Sequence, residues 1–321
     1  MPFVLVLNSS NVSGNNLSNY TYKFTTGSIE IPPNSEMCVS SVTIPYSWFN
    51  VNQSIYSNGT FSYNYPNTSG SFTQYTVSFL PGFYQVSDLN NAIQLYMFQN
   101  NQYIKLANGS IIYFINLLTD QTFYTNQFIL NIVPTSANVV TYYGVGAVIG
   151  NGTTYPTIQS CCQVIIPANT SANGLTSFGT LIGYSANIYP LTSVFPVLPS
   201  GTISSSNYSV NVLGNITPNL TPVNSLILAC NLVDNSITVP SNVLDSFNIN
   251  SVFGGNITYQ ANFEKLVSLV SGRYQTMALT LFDQNGNPIQ ANDANILITL
   301  IIKMGKKPLL TYKLSDEMGH R

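Results

Sequence analysis

Apolar residues recur with period two along most of this chain. Tyr20-Thr21-Tyr22-Lys23-Phe24, Phe61-Ser62-Tyr63-Asn64-Tyr65 and Tyr75-Thr76-Val77-Ser78-Phe79 alternate apolar with mostly polar residues, as a strand with one buried face requires. Further strands are predicted at 3–7, 28–31, 37–44, 111–118, 128–133 and 225–232, with shorter ones at 164–166, 178–182 and 209–213. Pro32-Pro33, Pro45 and Pro81-Gly82 stop three of these runs. The prolines at 134, 156, 167, 190, 196, 218 and 222 favour loops and edge strands, because proline cannot donate to a ladder. Near the C-terminus, 277–282 and 295–303 flank Asp283-Gln284-Asn285-Gly286-Asn287-Pro288. Asn285-Gly286 is a tight-turn signal, since both residues tolerate positive φ. The nearly continuous Ile and Leu of 295–303 predict a central strand buried on both faces.

One segment has the helical period instead. Leu89, Ala92, Ile93, Tyr96 and Met97 form an apolar stripe over 87–99. Ser87 is the N-cap candidate, Asp88 suits the positive end of the helix dipole, and Asn100-Asn101 ends the helix. Its moderate length suits packing along one edge of a sheet. The prediction is an all-β chain with this one short helix and long loops. No internal repeat is found.

Charge narrows the function. Only 6% of the residues are charged, against roughly 25% in an ordinary chain, and 121–233 holds no Asp, Glu, Lys, Arg or His. The apolar runs at 111–118 and 297–304 are too short to span a membrane, which takes about 20 residues. A chain 45% hydrophobic with a formal net charge of −2 is not disordered either. Asn, Ser, Thr, Gln and Tyr replace the charges. Such a surface fits burial in an obligate assembly, because near-zero net charge favours association; an AT-rich coding sequence would favour some of the same residues.

Other features are bland. Residues 1–7 have no basic segment before their apolar stretch, so they do not read as a signal peptide. Cys38, Cys161, Cys162 and Cys230 show no CxxC spacing and no nearby His, and are expected as reduced, buried thiols, with Cys161 and Cys162 on opposite faces of a strand. Asn-X-Ser/Thr triplets at Asn8, Asn19, Asn58, Asn151, Asn215 and Asn256 are expected by chance in so Asn- and Ser/Thr-rich a chain.

Catalytic chemistry finds little to work with. The one histidine is His320, so a Ser-His-Asp or Cys-His site is excluded from the core, and zinc lacks a ligand cluster. Asp234 with Asp245, or Asp283 with Asp293, remain as formal carboxylate pairs, but Asp283 and Asp293 are expected to flank a hairpin, where Asp caps turns through its own backbone. No phosphate-binding glycine motif occurs. The expectation is no enzyme, no catalytic, cofactor or metal residues, and no small-molecule substrate. Lys303, Lys306, Lys307, Lys313 and Arg321 make a basic C-terminal tail over 303–321, diluted by Asp316 and Glu317. It is expected as a solvated terminus or as an arm contacting a neighbouring subunit, an inner layer or nucleic acid. The abundant Tyr and Asn also fit a carbohydrate-binding or host-attachment module.

Several segments resemble the penton, or minor capsid, proteins of virophages, Polinton-like viruses and related large DNA viruses. They are Pro81-Gly82-Phe83-Tyr84, then Val86-Ser87-Asp88-Leu89-Asn90-Asn91; Leu181-Ile182-Gly183-Tyr184 with Tyr189-Pro190; Leu228-Ala229-Cys230-Asn231-Leu232-Val233; and Asp283-Gln284-Asn285-Gly286-Asn287-Pro288 with Asp293 and 296–302. The resemblance implies a single jelly roll of two packed antiparallel sheets and about eight strands, here 1–302 with loops or an inserted region around 136–221. It implies a virion protein, assembled inside the infected host cell, in the cytoplasm. Five copies of it would form the capsid vertex and contact trimers of a double-jelly-roll major capsid protein. A minor cement protein between capsomers is the related alternative.

Overall fold

The computed structural model describes residues 2–13, 18–150, 155–168, 177–191 and 209–305. The chain divides into two compact units, Met1–Trp48 with Val223–Arg321, and Phe49–Pro222.

The first unit has eight principal strands: Pro2–Asn8, Asn19–Lys23, Glu36–Pro45, Ser225–Cys230, Val243–Asn248, Asn256–Gln260, Thr276–Asp283 and Leu297–Lys303. Numbered along the chain, they pair antiparallel as first with eighth, second with seventh, third with sixth and fourth with fifth. The eighth also pairs with the third, and the seventh with the fourth. The sheets therefore run first-eighth-third-sixth and fifth-fourth-seventh-second. An antiparallel ribbon of eight strands rolled up on itself gives this order, which is a single jelly roll.

Alternation places the core. On the first sheet Ile298, Leu300 and Ile302 lie opposite Val42, Val39 and Met37, and all six are buried. On the second, Met277, Leu279 and Leu281 are buried, with Leu228 opposite Leu281 and Cys230 opposite Leu279. Each fully buried Leu or Ile contributes about 1.5–3 kcal/mol. The eighth strand is central, as predicted, but only one of its faces is buried: Leu297 is 45% exposed and Ile301 half-buried. Leu and Ile on both faces do not distinguish a strand inside a three-layer protein from one in a sandwich.

The 283–288 turn also differs from a hairpin between its flanking strands. The seventh and eighth strands lie in different sheets. The turn instead returns the chain briefly on itself, with Phe282 bridging Pro288 and the Ile289 N–H bonded to the Leu281 carbonyl. Asp283 caps it, accepting from the Asn285 and Asn287 backbone N–H groups at 2.8 Å each, and Gly286 takes φ +81°.

The second unit has its own core. The helix Val86–Gln99 buries Val86, Leu89, Ile93 and Met97 and packs on the strand Ile115–Asp120. Its N-cap is Gln85, two residues before the expected Ser87, and Asp88 accepts from the Gln85 N–H at 2.9 Å. Phe178 stacks on Phe61 with centroids 4.8 Å apart and on Phe79 at 5.4 Å. Phe178–Ile182 is a short helix and not the expected strand. Ser177 and Thr180 cap each other's backbone, and Gly183 ends the turn at φ +90°, so local capping overrides the apolar run. The run 111–118 likewise splits into Ile111–Tyr113 and Ile115–Asp120.

This unit is longer than the inserted region expected around 136–221. Thr60–Pro66 and Phe72–Ser78 pair with each other, and Thr60–Pro66 pairs with Gln163–Ile166, so strands well before 136 belong with those after it. Its two chain ends are tied by Asn50. The buried Asn50 carboxamide donates to the carbonyls of Tyr84 (2.8 Å) and Leu220 (2.9 Å) and accepts from the Tyr84 N–H (2.8 Å). Val51 and Gly82 exchange backbone bonds at 3.0 Å beside it. A Cβ at Gly82 would meet the Tyr84 ring at 2.9 Å, so any larger residue in Pro81-Gly82-Phe83-Tyr84 would push that ring aside.

Replacing Asn50 by Ala removes three part-buried bonds, one each to the Tyr84 carbonyl, the Tyr84 N–H and the Leu220 carbonyl. The expected loss is about 2–4 kcal/mol, measured by denaturant unfolding of the second unit's signal.

Candidate functional site

The reactive side chains come first. Asp245 lies on the fifth strand, an edge of the second sheet, yet points inward and is buried. It accepts from the Tyr259 hydroxyl at 2.8 Å and pairs with Lys265 at 2.9 Å. Tyr259 is on the sixth strand, an edge of the first sheet, so this cluster ties the two sheets along the open side of the sandwich. The bonds to Asp245 and Tyr259 raise the Lys265 ammonium above its ordinary value. Nothing in the local sequence signals this triad, because its members meet only when the sheets pack.

The proposed carboxylate partners are otherwise employed. Asp234 is exposed and its N–H bonds the Ser268 carbonyl, while Asp245 is taken by Tyr259 and Lys265. Asp283 caps its turn, and Asp293 accepts from the Asn295 N–H at 2.9 Å. Among the described residues no group of three His, Cys, Asp or Glu could hold a metal. Asn58, one of the glycosylation-type triplets, is buried and bonds the Asn50 carbonyl at 2.8 Å. Lys303, expected in the basic tail, ends the eighth strand and pairs with Glu264. Lys306, Lys307, Lys313, His320 and Arg321 lie outside the described residues.

What distinguishes the molecule is its surface. The outer face of the first sheet carries Val4, Val6, Leu297, Thr299, Ile301, Ser41, Thr43, Thr258 and Gln260, with Val4 62% and Val6 44% exposed. Charge enters that face only at one end, at Glu36 and Lys303. The outer face of the second sheet shows Thr276, Ala278, Thr280, Ser246 and Asn248, with Lys23 at its rim. The second unit has three charged residues in its whole sequence, Asp88, Lys105 and Asp120.

Two recesses open on these surfaces. One, of about 320 Å³ in the second unit, is lined by Asp120, Gln121, Tyr124, Asn126, Pro218 and Leu220 among others. Tyr124 in its lining is 78% exposed and sits at φ +50°. The other, in the first unit, is lined by Thr26, Gly27, Ser28, Arg273 and Gln275, with Arg273 Nε donating to Ser28 Oγ at 2.9 Å.

No family model matches the chain, and no curated protein matches it. Among solved structures, the chain is similar to the mavirus penton protein at 11% identity, covering 94% of this chain and 100% of that one, with a TM-score of 0.42. It is also similar to a chain of the Sputnik virophage structure at 14% identity, covering 95% and 98%, with a TM-score of 0.37.

All four cysteines are free and buried. Burial pushes the Cys161 and Cys230 thiols up to about 12 from an ordinary 9.0, and raises Cys38 and Cys162 as well. Between about 9 and 12 the unfolded thiols are ionised and the folded ones are not, so the unfolded state binds fewer protons. The stability these thiols carry is therefore whole below about pH 9 and is lost as pH rises through about 12. Unfolding free energies measured from pH 7 to 11 are expected to fall above 9, and Cys161→Ser with Cys230→Ser should flatten that fall. Thiol-specific reagents at pH 8 should label the folded chain only as fast as it opens.

Proposed function

We propose that this chain is a structural subunit of a viral capsid, forming its five-fold vertex by self-assembly. One observation supports this above the others: a jelly roll whose two outer sheet faces carry Val, Leu, Thr, Ser, Asn and Gln with charge only at the rims. A face without Lys, Asp and Glu loses little on desolvation and matches the depletion of charge at the cores of permanent interfaces. Such interfaces bury on the order of 2,000 Å² or more. The sequence segments that resemble penton proteins support the vertex as the specific place, major capsid protein trimers as the surrounding partner and the virion as the location. No side chain is assigned catalysis, since Asp88, Asp245, Asp283 and Asp293 each serve a cap, a clasp or a turn.

A second function is favoured by the recess that Tyr124 lines. An exposed aromatic ring next to Asp120, Gln121 and Asn126 suits a sugar, whose ring stacks while its hydroxyls bond the polar groups. Attachment to a host glycan is compatible with a place in the capsid.

Native mass spectrometry of the recombinant chain at tens of micromolar is expected to give a closed pentamer. Purified particles should hold the chain at about sixty copies, one ring at each five-fold axis. A monomer at all concentrations together with absence from particles defeats the proposal, and a larger copy number favours a cement protein between capsomers. Tight glycan-array binding abolished by Tyr124→Ala would establish the attachment function.

A further inference from the structure

The first strand, Pro2–Asn8, is an edge: the eighth strand is its one ladder partner among the described residues. It is Pro-Phe-Val-Leu-Val-Leu-Asn, with no charge. Edge strands usually carry Lys, a bulge or a covering segment, because an open edge templates pairing with another chain. The register with the eighth strand is unbroken from Pro2–Lys303 to Asn8–Leu297, so no bulge interrupts it.

The side chain of Asn11 reveals which backbone groups face outward. Its Nδ2 donates to the Val6 carbonyl at 2.9 Å, and its Oδ1 accepts from the Asn8 N–H at 2.8 Å. Alternate residues of a strand aim their N–H and C=O at opposite edges. Residues 2, 4, 6 and 8 therefore face outward, and 3, 5 and 7 bond the eighth strand. Asn11 covers one end of the edge. The Pro2 carbonyl, both backbone groups of Val4 and the Val6 N–H have no partner among the described residues.

We infer that this edge is covered, in the assembly proposed above, by the segment 308–314 of a second copy of this chain, added as a strand. That segment is Pro-Leu-Leu-Thr-Tyr-Lys-Leu, with Leu310, Tyr312 and Leu314 alternating with Thr311 and Lys313. A strand of that pattern presents one apolar face, which would continue the exposed row of Val4, Val6, Ile301 and Leu297.

The chain's own segment is poorly placed to do this. The eighth strand ends at Lys303 opposite Pro2, so a strand following it along the free edge would run parallel to the first. Only 304–307 precede the segment, and they would have to step across the first strand to its free edge, about 10 Å from the eighth at roughly 4.8 Å per strand. Gly305 is also held on the other flank, its N–H bonded to Ser35 Oγ at 3.0 Å just before the third strand. Exchange from one copy to the next is head-to-tail, the geometry that closes a cyclic ring.

The test uses a peptide of residues 306–316, and the chain shortened after Gly305, which retains all eight strands of the roll. The peptide is expected to bind the shortened chain by fluorescence anisotropy. Val4→Pro removes an outward N–H and leaves the bonds to the eighth strand whole, and Val4→Lys places a charge on the exposed face. Each should weaken the peptide by more than tenfold without altering the circular dichroism spectrum. Full-length Val4→Pro and the shortened chain should both lose the oligomer that the wild-type chain forms. No peptide binding, or an oligomer that survives shortening, overturns the inference. Survival of the oligomer in shortened chain with its loss on Val4→Pro would assign the edge to two first strands meeting each other. Failure of the assembly proposal is read separately, from the wild-type chain's own mass and its absence from particles.

Discussion

The eighth strand, Leu297–Lys303, holds the first unit together. It lies between the first and third strands, so it joins the start of the chain to the segment before the second unit across a very long loop. Closing such a loop costs entropy that grows only slowly with length, which lets a whole second unit occupy the connection after Trp48. The gain is concentrated where Ile298, Leu300 and Ile302 meet Val42, Val39 and Met37 in one buried row. The rolled order of the sheets then leaves two open sides to be managed, one at the fifth and sixth strands and one at the first and second. One is clasped by Asp245, Tyr259 and Lys265, which join the fifth and sixth strands across the sandwich. At the other lies the first strand, of which only one end is covered, by Asn11.

The same economy governs the second unit. Its aromatic core around Phe61, Phe79 and Phe178 carries the burial, and the Asn50 carboxamide fixes its two chain ends to Tyr84 and Leu220. With three charged residues, its surface interacts through amides, hydroxyls and aromatic rings. Polar groups of that kind are cheaper to bury than ions and remain compatible with water. The scarcity of charge across both units is thus a property of surfaces, since the cores would be apolar in any protein.

The motif segments acquire physical roles. Gly82 lies close against the Tyr84 ring, Gly183 forms the left-handed end of a short helix, Asp283 caps its turn, and Asn231 accepts from the Ala278 N–H at 2.7 Å. These are fold-determining positions. Their side chains serve turns, caps and ladders within the fold.

The sequence by itself determined the period-two pattern of most strands, the helix over 87–99 within two residues at its start, the turn at Asn285-Gly286 and the paucity of catalytic groups. Each depends on neighbours a few residues apart, and local backbone preference decides such features. Tertiary structure decided what depends on residues far apart. The edge strand Val243–Asn248 carries little alternation and exists because a paired neighbour completes it, while Asn256–Gln260 alternates over only five residues. The helix at Phe178–Ile182 won over its strand-like composition through caps on both ends. The start of the second unit at Phe49, the clasp on Asp245 and the open edge at Val4 follow from which strands pair, and pairing across two hundred residues leaves no mark on a local window.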